Sequence, residues 1–475
     1  MAERDISDLI ARYEHMLISG KPVYFDADEY DELAEYYDKL DDLDSARDIV
    51  AQGLAIHPEN ERLMLKNARF LIYDSKYSEA LTFLNTHFGT YNFDLYLMKI
   101  ECLLNMSLYA EAYQLTTEVL NDEDTDLGII LSELGFIYLE TEYYDEAVLY
   151  LEKSLEYDSQ NREVLDDLAF AYESKGDFES AVRICNKVLD IDPYSLETWL
   201  MLGKLYSLNN DYENAIDAFD FALTLDEKDF SALKLKAHCL ILSERTEEAI
   251  EVLKLCLALY PEDDTIYLTL ADSYLELERF DDMLAYLDEY ERCAGETTES
   301  ISKKAYAYLM KGNYDKAKSL IDKVLEIDPE SFEVNMIAGE LSYKQEDMLK
   351  AEFFYLKALT LQESESDSDD VLEKLVSVSV KEGDLDKAIG WQKRILDINA
   401  SASVLKKLAL LYLEKGDKEN YTSTLDMFSD DELRDFFLLF YQDEHRDISI
   451  SDREYLLNRL SEAFNCRLLY KNIKY

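Results

Sequence analysis

One spacing constrains this chain more than anything else in it. Between Gly128 and Glu365 the same physical pattern returns every 34 residues, seven times, without an insertion. A small residue marks each return: Ala147, Ala181, Ala215, Ala249, then Met283 in its place, then Ala317 and Ala351. Twelve residues before each stands a second small residue, in turn Gly135, Ala169, Gly203, Ala237, Ala271, Ala305 and Gly339. Three residues further on an aromatic recurs as Tyr138, Tyr172, Tyr206, Tyr274 and Tyr308, with Leu240 and Ser342 as departures. A period of roughly 20–50 residues belongs to stacked repeat arrays, in which one unit cannot bury its own apolar face and its neighbours do so.

The unit Arg162–Ser195 gives the local structure. Leu165, Leu168, Ala169 and Tyr172 share one face of a helix. Lys175-Gly176-Asp177 interrupts it, and glycine suits a left-handed helix end. Phe178, Ala181, Val182, Cys185, Val188 and Leu189 mark a second amphipathic helix. Asp190-Ile191-Asp192-Pro193 stops that helix, because proline disfavours helical geometry in the residue before it. The unit is two antiparallel helices, and the small pair Ala169 and Ala181 lets them cross closely. A large side chain at either point would cost about 1–3 kcal/mol in overpacking.

These residues carry a family resemblance. Trp199, Leu202, Gly203, Tyr206, Ala215, Phe219 and Ala222 fall at the spacing of the tetratricopeptide repeat, as do Leu165, Leu168, Ala169, Tyr172, Ala181 and Pro193. The closing pattern recurs as Ile191-Asp192-Pro193, Ile327-Asp328-Pro329, His57-Pro58 and Tyr260-Pro261. The resemblance covers roughly Ala27 to Asp435. It implies an all-α fold: a right-handed α-α superhelix, a tetratricopeptide-like solenoid of about 12 helix-turn-helix repeats with helical caps. The first helices of such a superhelix line a concave groove for a peptide or partner helix.

The chain divides accordingly into a capping helix (1–26), divergent repeats one to three (27–127), seven phased repeats (128–365), repeats eleven and twelve (366–435) and C-terminal capping helices (436–475). The acidic stretch Gln362–Asp369 reads as a loop that adds three residues to the stride. Tyr421 replaces the small residue of repeat twelve, which suits an array ending. Ser429-Asp430-Asp431-Glu432 and Ser451-Asp452-Arg453-Glu454 both have the form of a capping box. The end, Cys466 to Tyr475, carries Arg467, Lys471 and Lys474 and no acid; it reads as a frayed terminus or a docking segment.

Charge narrows the partners. With 48 basic against 102 acidic residues, the formal net charge is −54. Nucleic acid and anionic membranes both call for clustered Lys and Arg, so neither is an expected partner. A basic protein or peptide is. The six cysteines form no CxxC motif and read as small buried apolar residues of a reducing compartment. Met1-Ala2-Glu3-Arg4-Asp5 has no signal-peptide form, and no apolar stretch approaches the ~20 residues that span a bilayer. A cytoplasmic protein is the expectation, either monomer or homodimer.

No catalytic constellation stands out, and the five histidines lie scattered, so a non-enzymatic chain without cofactor or metal is expected. Asp122, Asp124, Asp126 and Glu133 mimic a calcium loop. Leu127 stands where the sharp turn demands glycine, so this reads as an acidic inter-repeat loop. The resemblance places positions 2, 5, 6, 9, 12 and 13 of each unit on the groove. Here they include Asp166, Asp167 and Phe170, then Leu200, Met201 and Lys204, then Leu235 and His238, and further on Tyr306, Met336 and Glu340. No three consecutive units present the Lys, Asn and Arg set with which the chaperone-adaptor subfamily grips an acidic peptide terminus. An apolar middle beside an acidic cluster suits an amphipathic or basic segment instead. The expected role is a scaffold or adaptor, with a peptide-sensing regulatory protein as the alternative.

Overall fold

The computed structural model describes residues 6–89, 92–121, 126–362, 367–441 and 453–465. Among these residues there are 27 α-helices and no strand. The chain falls into two compact units, Met1–Arg245 and Thr246–Tyr475.

The first unit holds α1 (Ile6–Ser19), α2 (Ala27–Lys39), α3 (Leu43–Ile56), α4 (Glu61–Tyr73), α5 (Tyr77–His87), α6 (Phe93–Asn105), α7 (Tyr109–Leu120), α8 (Leu127–Glu140), α9 (Tyr144–Ser154), α10 (Arg162–Ser174), α11 (Phe178–Ile191), α12 (Leu196–Leu208), α13 (Tyr212–Leu225) and α14 (Phe230–Leu242). Each first helix packs on the second helix that follows it, and that second helix packs on the next pair. At the start, α1 lays Leu9 and Tyr13 over the first pair, with the Tyr13 ring edge-on to Phe25 at 6.0 Å.

The second unit repeats the scheme with α15 (Thr246–Leu259), α16 (Asp264–Glu276), α17 (Phe280–Ala294), α18 (Thr298–Met310), α19 (Tyr314–Ile327), α20 (Phe332–Lys344), α21 (Met348–Leu361), α22 (Asp367–Glu382), α23 (Leu385–Ile398), α24 (Ala402–Lys415) and α25 (Lys418–Asp426). It closes with α26 (Asp430–Leu438) and α27 (Arg453–Asn465). Tyr421 is fully buried on α25 and meets Phe464 of α27 at 5.5 Å between ring centres. A ring thus occupies the small-residue position of this pair and packs against α27.

Three devices explain the constant stride. The first is the close crossing inside each pair. A Cβ on Gly203 would lie 2.5 Å from Phe219, and one on Gly339 would lie 2.5 Å from Tyr355. Where the residue sixteen places on is smaller, as Cys185 opposite Ala169, alanine serves. The second is helix capping. Asn161, Ser195, Asp229, Asp263, Thr297 and Ser331 cap successive first helices, each accepting from a backbone N–H of the first turn. Ser429 and Glu432 complete the expected capping box of α26.

The third device is the turn between paired helices. One left-handed residue returns there with the period of the array: Glu142, Gly176, Asn210, Glu244, Glu278, Gly312 and Glu346, with φ between 54° and 76°. That conformation lets the following N–H reach back to the helix, as Asp177 N does to Tyr172 O at 3.0 Å. Glycine fills only two of the seven places, so the others hold an L side chain where it is strained.

Two tyrosines, Tyr138 of the recurring series and Tyr355 against Gly339, bury the hydroxyl as well as the ring. Tyr138 and Tyr355 are fully buried and bond inside, Tyr138 Oη to Thr116 Oγ1 at 3.0 Å and Tyr355 Oη to Glu340 Oε2 at 3.0 Å. The acidic loop around Asp122 and Asp124, the core of the stretch after Gln362, the cap residues Ser451 and Asp452, His445 and the basic end from Cys466 lie outside the described residues.

Candidate partner-binding faces

The inner face of the first unit is built by α4, α6, α8 and α10. Phe136 and Phe170 sit one stride apart on α8 and α10, and both rings are about half exposed, at 46% and 47%. Beside them the carboxylates gather. Glu101, Glu133 and Glu140 line a cavity of about 220 Å³ together with Tyr73, Phe136 and a single base, Arg69. Among the described residues no ion pair joins α6, α8 and α10.

The two aspartates of α10 divide in role. Asp166 accepts from Arg162 Nε at 2.7 Å, and the same guanidinium reaches Oγ of Ser195, the cap of α12, and Oγ1 of Thr198 in the next repeat. Asp166 is thus part of an inter-repeat tie. Asp167 is not. Burial first, then the charges of Asp166, Glu140, Glu163 and Glu133, push its carboxyl up to about 6. Glu101 on α6 is also raised, by burial and by Glu140, against the pull of Arg69.

The other residues named from the sequence separate by what already holds them. Lys204 on α12 is spent on Glu173 at 2.5 Å. Met201 packs on the core of the first unit, and Leu200 and Leu235 are half-buried. His238 on α14 is exposed. In the second unit Tyr306 and Met336 pack against apolar clusters of α18 to α23. Burial alone would raise the Glu340 carboxyl; the Lys374 ammonium at 2.7 Å and the Tyr355 hydroxyl outweigh it and hold it below the ordinary value.

Lysine rungs run along the inner helices of the second unit. Lys303 pairs with Asp272, Lys374 with Glu340 at 2.7 Å, and Lys407 with Glu373 at 2.5 Å. Between α22 and α24 the face opens into a cavity of about 700 Å³. Val376, Val380, Leu410 and Leu411 supply its apolar wall, and Lys381, Lys406 and Lys407 its charge. Counted past the three added residues, Glu373, Ser377, Val380 and Lys381 occupy groove positions 5, 9, 12 and 13 of repeat eleven. Sequence reasoning did not extend the groove this far, although carrying the stride across the acidic loop would have found these residues.

No group of three or more His, Cys, Asp or Glu side chains is placed to hold a metal among the described residues. Cys102 and Cys185 are buried, and burial pushes their thiols up to about 12, which makes them unreactive. His57 and His87 are turned to backbone carbonyls, of Phe25 and Phe83. No described helix is long and apolar enough to cross a membrane.

Stacked helix pairs with side-chain-rich inner faces define a helical-repeat scaffold. Residues 138–205 and 298–331 each match a family model of the tetratricopeptide repeat, and residues 208–290 match that of anaphase-promoting complex (cyclosome) subunit 3. The chain is a tetratricopeptide-repeat protein, of a class that serves protein–protein interaction and is typically non-enzymatic. Among solved structures it is similar to MamA, at 26% identity over 34% of this chain and 93% of that one, with a TM-score of 0.32. It is similar to the Cut9–Hcn1 assembly of the anaphase-promoting complex at 14% identity, over 96% and 94% of the two chains, with a TM-score of 0.40. YrrB, described as a tetratricopeptide-repeat protein with an unusual peptide-binding site, is 18% identical over 39% of this chain and 95% of that one, with a TM-score of 0.34. No curated protein sequence matches the chain.

Proposed function

We propose that the chain is a scaffold that holds a basic, amphipathic segment of a partner protein against α6, α8 and α10. The observation that carries this reading is the environment of Asp167. Its carboxylate sits half-buried among other carboxylates, where a structural ion pair would ordinarily place a cation. A lysine or arginine from outside relieves that repulsion. Phe136 and Phe170, one repeat apart, take the apolar side of the same segment. The surplus of acid over the whole chain adds long-range attraction and speeds the encounter.

Lys204 and Glu340 act within this reading as ties between repeats, not as contacts offered to the partner. His238 extends the same line of groove positions towards the end of the first unit.

The test is calorimetric titration with a synthetic helical peptide that carries lysine on one face and leucine on the other. Asp167→Lys is the chosen variant, because it leaves the Arg162–Asp166 tie in place. Binding to the native chain and at least a tenfold loss in Asp167→Lys are expected, about 1.4 kcal/mol. Equal affinity of the native and substituted chains overturns the reading.

A further inference from the structure

We propose that the cavity between α22 and α24 is a binding site for a small amphipathic anion. The ligand class is an apolar body with one carboxylate and an amide N–H, as in an N-acyl amino acid. This site is separate from the acidic face of the first unit and does not depend on it.

Four observations converge. The cavity, about 700 Å³, has the size of small-molecule sites, which run roughly from 300 to 1,000 Å³. Its wall is apolar, with Val376 and Val380 one turn apart on α22 and Leu410 and Leu411 adjacent on α24. Its charge is opposite to that of the chain. Three ammonium groups border it against one carboxylate, Glu373, in a protein whose formal net charge is −54. Of the three, Lys407 is paired with that carboxylate, Lys406 stands 3.9 Å from Asp435, and Lys381 lies over the ring of Tyr343 at 4.4 Å.

The fourth observation points to a ligand directly. Gln392 is fully buried at the floor of the cavity. Its Nε2 donates to Val404 O at 3.2 Å, while its Oε1 is buried without any hydrogen-bond partner. A buried acceptor left unpaired is costly, and native proteins rarely keep one without a use. An N–H from the ligand would satisfy it. The carboxylate would then lie among the ammonium groups of Lys381 and Lys406, and the apolar body along the wall.

The probe is N-decanoylglycine below its micellar concentration, titrated calorimetrically into the full chain at neutral pH. Two relatives of the probe separate the contributions: decylamine inverts the charge, and N-decanoyl-N-methylglycine removes the N–H. The structure calls for one molecule bound per chain and for decylamine to bind at least about tenfold more weakly. The double variant Lys381→Glu, Lys406→Glu should weaken the probe by at least about tenfold. N-methylation should weaken binding to the native chain but not to Gln392→Leu. Ser377→Trp, at an exposed lining position, fills the cavity without touching the core and should abolish binding. Circular dichroism checks that each variant keeps its helices. Failure of the native chain to bind the probe, equal binding of decylamine, or binding unchanged by the lysine pair or by Ser377→Trp overturns the proposal.

Discussion

Two stretches of inner helix, α6 to α10 in the first unit and α16 to α24 in the second, differ in how their charge is used. On α6, α8 and α10 the groove positions hold carboxylates and two half-exposed phenylalanines, and no ion pair ties these three helices among the described residues. On α16 to α24 a lysine answers an acid of the preceding repeat, as Lys374 answers Glu340 and Lys407 answers Glu373. On the proposed reading, the first face has unmet charge to offer a partner. The second has spent most of its charge on itself. On that reading, unpaired groove charge, more than groove position, separates a contact surface from a brace.

The largest test of that contrast is Glu340→Lys. It removes a half-buried carboxylate that serves Lys374 and Tyr355, so a loss of about 3 kcal/mol is expected in urea unfolding of the second unit. Binding of the lysine–leucine peptide should not change. A stable variant would mean that the second face is not braced as described. Next come Gly203→Ala and Gly339→Ala, one in each unit. Each sets a Cβ against a buried ring, Phe219 or Tyr355, and should cost about 1–3 kcal/mol alike. A large difference between the two would show that the units are not built on one crossing.

Asp167→Asn should act in the other direction. The native carboxyl titrates near 6, above its ordinary value of 3.8, so the folded chain holds that proton more tightly than the unfolded chain does. The ionised group therefore costs stability progressively as pH rises between those values, and fully above them. The variant should gain on the order of 1 kcal/mol at pH 7, after screening, and nothing at pH 3. For the same reason, peptide binding to the native chain should strengthen from pH 5 to pH 7 and release a proton near pH 6. A pH-independent affinity would remove Asp167 from the contact. The smallest expected effect is shared by both units. Glu142→Gly and Glu346→Gly each relieve a left-handed turn and should add about 1 kcal/mol to thermal stability.

The helix pairs were legible from small residues at a fixed stride, because the close crossing leaves so few choices there. Ala169 with Ala181 and Gly203 opposite Phe219 are local facts of one pair, and a sequence states them. The caps were partly hidden. Asn161, Ser195 and Asp229 recur as faithfully as the alanines, yet three residue types share the work and the pattern does not look like a repeat. What the sequence could not separate was Asp166 from Asp167. They are adjacent and alike, and only the side chain of Arg162 tells them apart. Lys204 and Glu340 were legible as groove positions but not as ties, since their partners come from neighbouring repeats. The cavity between α22 and α24 was missed because three added residues break the count just before it.

Site-specific crosslinking tests the central claim most directly. A photoreactive benzoylphenylalanine takes the place of Phe170 in one variant and of Ser377 in another, and each full chain is irradiated with the lysine–leucine peptide. The account predicts capture of the peptide at position 170 and none at position 377. Capture at 377 with none at 170 would contradict it.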